Sequence, residues 1–128
     1  MFTRIFLMIV MCVMVFGLIG CGTPAVPNAS DPTKGRELLR IALDAWKHGD
    51  THEEYQKRKP NITVVEPAWK NGTTLIDYDL AGESTPDGYD VQFKAKLIVK
   101  DASGKFATQK AVYNVSTTPA QVIVRAAQ

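Results

Sequence analysis

The stretch Tyr89-Asp90-Val91-Gln92-Phe93-Lys94-Ala95-Lys96-Leu97-Ile98-Val99 decides the fold class of this chain. Tyr89, Val91, Phe93, Ala95, Leu97 and Val99 alternate with Asp90, Gln92, Lys94 and Lys96, the period of two that gives a β-strand one apolar and one polar face. Downstream, Asp101-Ala102-Ser103-Gly104 has turn chemistry, Phe106 to Thr117 reads as the next strand, and Thr118-Pro119 breaks the run before a closing strand, Gln121 to Arg125. Upstream lie two shorter runs. Ile62, Val64 and Val65 end at Pro67, and in Thr74 to Leu80 the residues Ile76, Tyr78 and Leu80 alternate against Asp77 and Asp79.

The cover for the apolar face comes earlier in the chain. Asp31-Pro32 starts a helix, since Asp31 can accept a free backbone N–H as N-cap and Pro32 lacks the N–H that would be orphaned. Leu38, Leu39, Ala42, Leu43, Ala45 and Trp46 recur at spacings of three and four, leaving Arg36, Glu37, Arg40, Asp44 and Lys47 for solvent, and Gly49 ends the helix. Thr51 with Glu54 forms a capping-box pattern for a short second helix from His52 toward Arg58, whose one large apolar group is Tyr55 and which Pro60 stops. Helices followed by strands predict an α+β fold: an N-terminal helix and a short second one on a curved antiparallel meander of four to five strands. Ala42-Leu43-Asp44-Ala45-Trp46-Lys47-His48-Gly49-Asp50 resembles the first helix of nuclear-transport-factor-2-like and SnoaL-like domains. The single long helix resembles the simpler cystatin-like arrangement, and the whole chain is similar to small lipoproteins of unassigned function.

The first twenty residues read differently. Arg4 precedes a continuous apolar run from Ile5 to Phe16, the order of a secretory signal, and the run is short for a retained membrane helix. Leu18-Ile19-Gly20-Cys21 at its end resembles the lipobox of bacterial lipoproteins. That resemblance implies cleavage between Gly20 and Cys21, a diacylglycerol on Cys21, and an address in the cell envelope anchored to a membrane by lipid. Gly22 in the following position favours the outer membrane in a host that has two. Gly22 to Ser30, with Pro24 and Pro27, has linker composition. The expected organisation is therefore a signal peptide (1–20), a lipidated cysteine and tether (21–30) and one α+β domain (31–128). Asn28, Asn61, Asn71 and Asn114 each begin an Asn-x-Ser/Thr triplet, a glycosylation pattern of eukaryotic secretion, but the lipobox is the more constrained signal and is preferred.

Composition and motifs set bounds on chemistry. The chain has 15 Lys and Arg against 13 Asp and Glu, and without Arg4 the balance is 14 to 13, so no broad field draws nucleic acid, and none is expected as a partner. With Cys12 inside the signal and Cys21 at its end, the domain has no intramolecular disulfide to form. His48 and His52, with Asp50, Glu53 and Glu54 nearby, lack a properly spaced third ligand, so no metal site is expected. No phosphate-binding glycine loop, HExxH, CxxC or Gly-x-Ser-x-Gly elbow occurs, no cofactor is implied, and no catalytic residue can be named.

Four residues are candidates for a pocket: Trp69, Asp77, Asp79 and Tyr113. Asp77 and Asp79 share one strand face and could act as an acid–base pair inside a curved sheet, although exposed pairing with Lys94 and Lys96 is the preferred reading. Trp69 stands in a turn-rich stretch, where it either plugs the end of the sheet or stands at a pocket mouth. Trp46, Tyr78, Tyr89 and Phe93 complete an aromatic set read mainly as core. Lys57-Arg58-Lys59 could touch anionic headgroups or wall polymer but reads as a solvated helix end. The leading expectation is a membrane-anchored envelope lipoprotein whose domain is a non-catalytic binding module for a protein or envelope component. The alternatives are a small-ligand-binding or enzymatic pocket protein and a structural envelope spacer.

Overall fold

The structure, a computed structural model, describes residues 29–127. The apolar run expected to be an export signal, Gly20, Cys21, Gly22 and most of the expected tether lie outside the described residues.

Helix α1 (Pro32–His48) begins as its cap predicts: the Asp31 carboxylate accepts from Thr33 N at 2.9 Å. It ends at Gly49, which takes a left-handed φ of 108° and donates its N–H to the last-turn carbonyls. Leu38, Leu39, Ala42, Leu43 and Trp46 are buried along one stripe. Gly35 lies where the helix comes closest to the sheet; a Cβ there would meet the Phe93 ring at 3.4 Å. Arg36, expected in solvent, is instead half-buried, donating to the carbonyls of Leu80 and Gly82 with its guanidinium over Phe93. Helix α2 (His52–Arg58) carries the full capping box between Thr51 and Glu54 and buries Tyr55 completely. The turn-rich stretch contains a further short helix, α3 (Pro67–Lys70), capped by Glu66.

Six strands form one curled sheet: β1 (Ile62–Val65), β2 (Thr74–Asp79), β3 (Thr85–Asp87), β4 (Asp90–Lys100), β5 (Phe106–Ser116) and β6 (Gln121–Arg125). The path runs β1-β6-β5-β4-β2, with β3 also paired to β4. The result is α+β, a cystatin/NTF2-like half-barrel in which α1 packs on the curled, mostly antiparallel sheet. Two details depart from the expected meander. β1 lies beside β6, parallel to it, and the connection through α3 carries the chain across to the opposite edge, where β2 forms. β3, in a segment with no periodicity to announce it, adds a hairpin at Gly88.

Val91, Phe93, Ala95, Leu97 and Val99 all face α1 on the inner side of the sheet, with Tyr113, Val115 and Ile123 from the neighbouring strands. Tyr89, expected to continue this row, sits instead in the β3–β4 turn and is 63% exposed. In β2 the expected inward row Ile76, Tyr78, Leu80 is broken by a bulge between Leu75 and Asp77. Leu75 takes the core position, Ile76 becomes the extra, exposed residue, and Tyr78 resumes the inward face opposite Leu97.

Candidate functional site

Among the described residues, one charged residue is fully buried. Glu66, which follows β1 and caps α3, is 2% exposed. One carboxylate oxygen accepts from Arg125 Nη1 at 3.1 Å and from Ala68 N at 3.1 Å; the other accepts from the Tyr113 hydroxyl. Arg125 donates its second nitrogen to Gln109 at 3.0 Å. Tyr113, Arg125 and Gln109 are odd-numbered residues of antiparallel neighbours, so all three project to the side where Phe93 and Leu97 lie. Burial first, then the Glu66 charge and hydrogen bond, push the Tyr113 hydroxyl far above the ordinary tyrosine range, with Arg125 opposing. The cluster is a closed network that pins α3 to β5 and β6.

An opening lies elsewhere, between the end of α1, the start of α2 and α3. It is a cleft of about 700 Å³ bordered by Trp46, Asp50, His52, Glu53, Lys70 and Thr74, among others. Trp46 and Trp69 stack behind it with centroids 5.8 Å apart, and His52 and Tyr55 pack on Trp69. Both indole N–H groups are satisfied by backbone carbonyls, Trp46 by Thr73 and Trp69 by Asp50, each at 2.8 Å. His52 Nε2 lies 2.7 Å from the Val64 carbonyl, which can only accept, so this nitrogen carries the proton and the ring is held as a strut. The cleft is lined mainly by apolar surface beside the two indoles, with Asp50, Glu53, Lys70 and threonines among its polar lining residues. Its histidine is already committed to the backbone.

The candidate pocket residues do not converge. Trp69 is 4% exposed and borders this cleft, so it both plugs the end of the sheet and lines an opening. Tyr113 belongs to the Glu66 cluster. Asp77 and Asp79 are exposed on the outer face of β2. Asp79 stands opposite Lys96, whereas Asp77 pairs with Lys47 of α1 at 3.1 Å and stands opposite Ile98, not a lysine. The hydrogen bond from Lys47, the Tyr78 N–H and the lysine charge hold the Asp77 carboxyl below the usual carboxylate range. Burial and a hydrogen bond to Asp44 push Tyr78 up to about 12.

The weighed metal set is also scattered. His48 is exposed, Asp50 binds Arg58 at 2.7 Å, and among the described residues no three His, Cys, Asp or Glu side chains are placed to hold a metal ion. Of the basic run, Lys57 pairs with Glu53 and Arg58 with Asp50. The residue that sequence reasoning missed is Glu66. Its signal was a lone carboxylate inside the apolar stretch from Ile62 to Trp69, and its partner Arg125 shares parity with inward-facing Ile123. No protein-family model, curated protein or solved structure matches the chain, so the chemistry of its sites rests on its own residues.

Proposed function

We propose that this chain is a lipid-anchored lipoprotein of the bacterial cell envelope whose domain is a non-catalytic binding module for a protein or another envelope component. The anchor reading rests on Leu18-Ile19-Gly20-Cys21 and the apolar run before it. The module reading is carried by one observation: the inner face of the sheet is filled. Leu39, Leu43 and Trp46 meet Phe93, Leu97 and Val115 in a single core cluster, and Glu66, Arg125 and Tyr113 form a closed network on the same face. The volume that an internal acid–base pocket requires is occupied by side chains, and the aspartates proposed for it face solvent.

The test joins both halves. The chain expressed in a bacterium with its own N-terminus should acquire a fatty-acyl label and lose residues 1–20, while Cys21→Ser stays unprocessed and unlabelled. Cross-linking the intact lipoprotein in membranes should then return a discrete envelope partner. Normal processing of Cys21→Ser sinks the anchor, and a chain that cross-links to nothing sinks the module.

A second reading, a small-ligand binder, draws support from the cleft beside Trp46 and Trp69, whose volume lies in the ordinary range of ligand pockets. The chain's two tryptophans both border that cleft, so intrinsic fluorescence reports on it directly. A saturable change on titration with a small molecule, abolished by Trp69→Phe, would favour this reading.

A further inference from the structure

The outer face of the sheet carries a cluster of ammonium groups that the proposed function leaves unused. Lys94, Lys96 and Lys100 project from β4 on the side away from α1, and Lys110 of β5 stands directly opposite Lys96. From Lys94 to Lys100 the row spans about 20 Å at the usual strand rise of ~3.3 Å per residue. All four are exposed, and among the described residues none takes part in an ion pair. Carboxylates flank the row without forming an ion pair with it: Asp79 and Asp77 on β2 stand opposite Lys96 and Ile98, Asp101 follows Lys100, and Asp87 and Asp90 lie at the hairpin end. Apolar groups interleave with the lysines: Val112 opposite Lys94, Ile98 between Lys96 and Lys100, and Phe106, 61% exposed, opposite Lys100 with its ring beneath that ammonium.

We propose that this face docks on anionic lipid headgroups of the membrane that anchors the chain. The inference rests on the anchor reading, and chain length makes it geometrically natural. Ser30 is fixed to the sheet by its backbone bond to Tyr89 and its hydroxyl bond to Thr117, so nine residue steps separate this point from Cys21. Nine steps reach at most roughly 30 Å, close to the length of β4 itself, which keeps the domain within contact of the bilayer. A face of lysines alone would suit any polyanion. Exposed Phe106, with half-buried Ile98 and Val112 among the lysines, suits a headgroup layer, where ammoniums meet phosphates while apolar groups face the acyl boundary. The basic run on α2 is a poorer candidate because Lys57 and Arg58 are engaged with carboxylates.

The experiment uses the full chain purified from bacterial membranes and reconstituted into vesicles of phosphatidylcholine alone or with about one-third phosphatidylglycerol, a headgroup charge that attracts nearby lysines. Amine acetylation is followed lysine by lysine by mass spectrometry. Lys94, Lys96, Lys100 and Lys110 should label at least several-fold more slowly on the anionic vesicles, with Lys34, Lys57 and Lys59 unchanged. High salt should remove the difference, as screening requires. In Lys94→Gln/Lys110→Gln, protection of Lys96 and Lys100 should be lost. Equal labelling on both vesicle types, with the chain floating on both, overturns the docking face and leaves the anchor standing. Failure to float with neutral vesicles overturns the anchor, while protection on anionic vesicles still decides the face. Protection by soluble polyphosphate and not by vesicles overturns the lipid as the occupant.

Discussion

Glu66 shows how one side chain takes its meaning from burial. On a surface a glutamate before a proline is a helix cap and little else; here the same carboxylate is 2% exposed and holds Tyr113 and Arg125. Tyr113→Phe should lower stability by about 1–3 kcal/mol, because the buried carboxylate loses a donor that no water replaces. Arg125→Met should cost about 3 kcal/mol, the low end for an uncompensated buried charge, since the arginine side chain is 20% exposed. Glu66→Gln/Arg125→Met should recover part of that loss, and urea midpoints of the three variants check the order. Asp77 is the contrasting case. Its folded-state pKa lies below the unfolded value, so its pairing favours folding at neutral pH and that contribution disappears as pH falls through the acid range. Carboxyl NMR should find Asp77 titrating below ordinary aspartate, and Lys47→Gln should move it upward.

At the scale of elements, the free edge of β1 is closed by side chains of α2. Gln56 donates to the Ile62 carbonyl at 2.7 Å and accepts from Val64 N at 2.9 Å, while His52 reaches the Val64 carbonyl. The helix thus supplies the hydrogen bonds of an absent neighbouring strand and removes an edge on which a second chain could pair. Gln56→Ala should lower stability by about 1–3 kcal/mol through the unpaired groups it leaves. It should also produce concentration-dependent self-association in sedimentation velocity; a variant that stays as monomeric as the parent would show that α2 does not guard this edge. The bulge at Ile76 is a second element-scale device. It restores Tyr78 to the inner face and lets its hydroxyl reach Asp44 on α1.

For the whole molecule, α1 is the keystone of the core, and Trp46 closes one end of it: 2% exposed, stacked on Trp69 and bonded to Thr73 beside β2. Trp46→Ala should cost about 3–5 kcal/mol, the range for truncating a buried aromatic; an unchanged denaturation midpoint would remove the helix from the core. Much of this arrangement was legible beforehand. Capping at Asp31, Gly49 and Thr51, the stripe from Leu38 to Trp46 and the alternation through Val99 are local signals, set by backbone sterics and by the periods of helix and strand. They sufficed for an α+β fold with its helix on a curved sheet. The parallel pairing of β1 with β6 was invisible, because Ile62–Val65 has the same pattern whichever edge it joins. Ile76 and Leu75 exchanged roles because a bulge shifts parity without changing composition. The candidate site was hidden for the same reason: Glu66, Tyr113 and Arg125 are far apart in the chain, and only folding decides which charges meet in a buried place and which, like Asp77 and Asp79, remain in water.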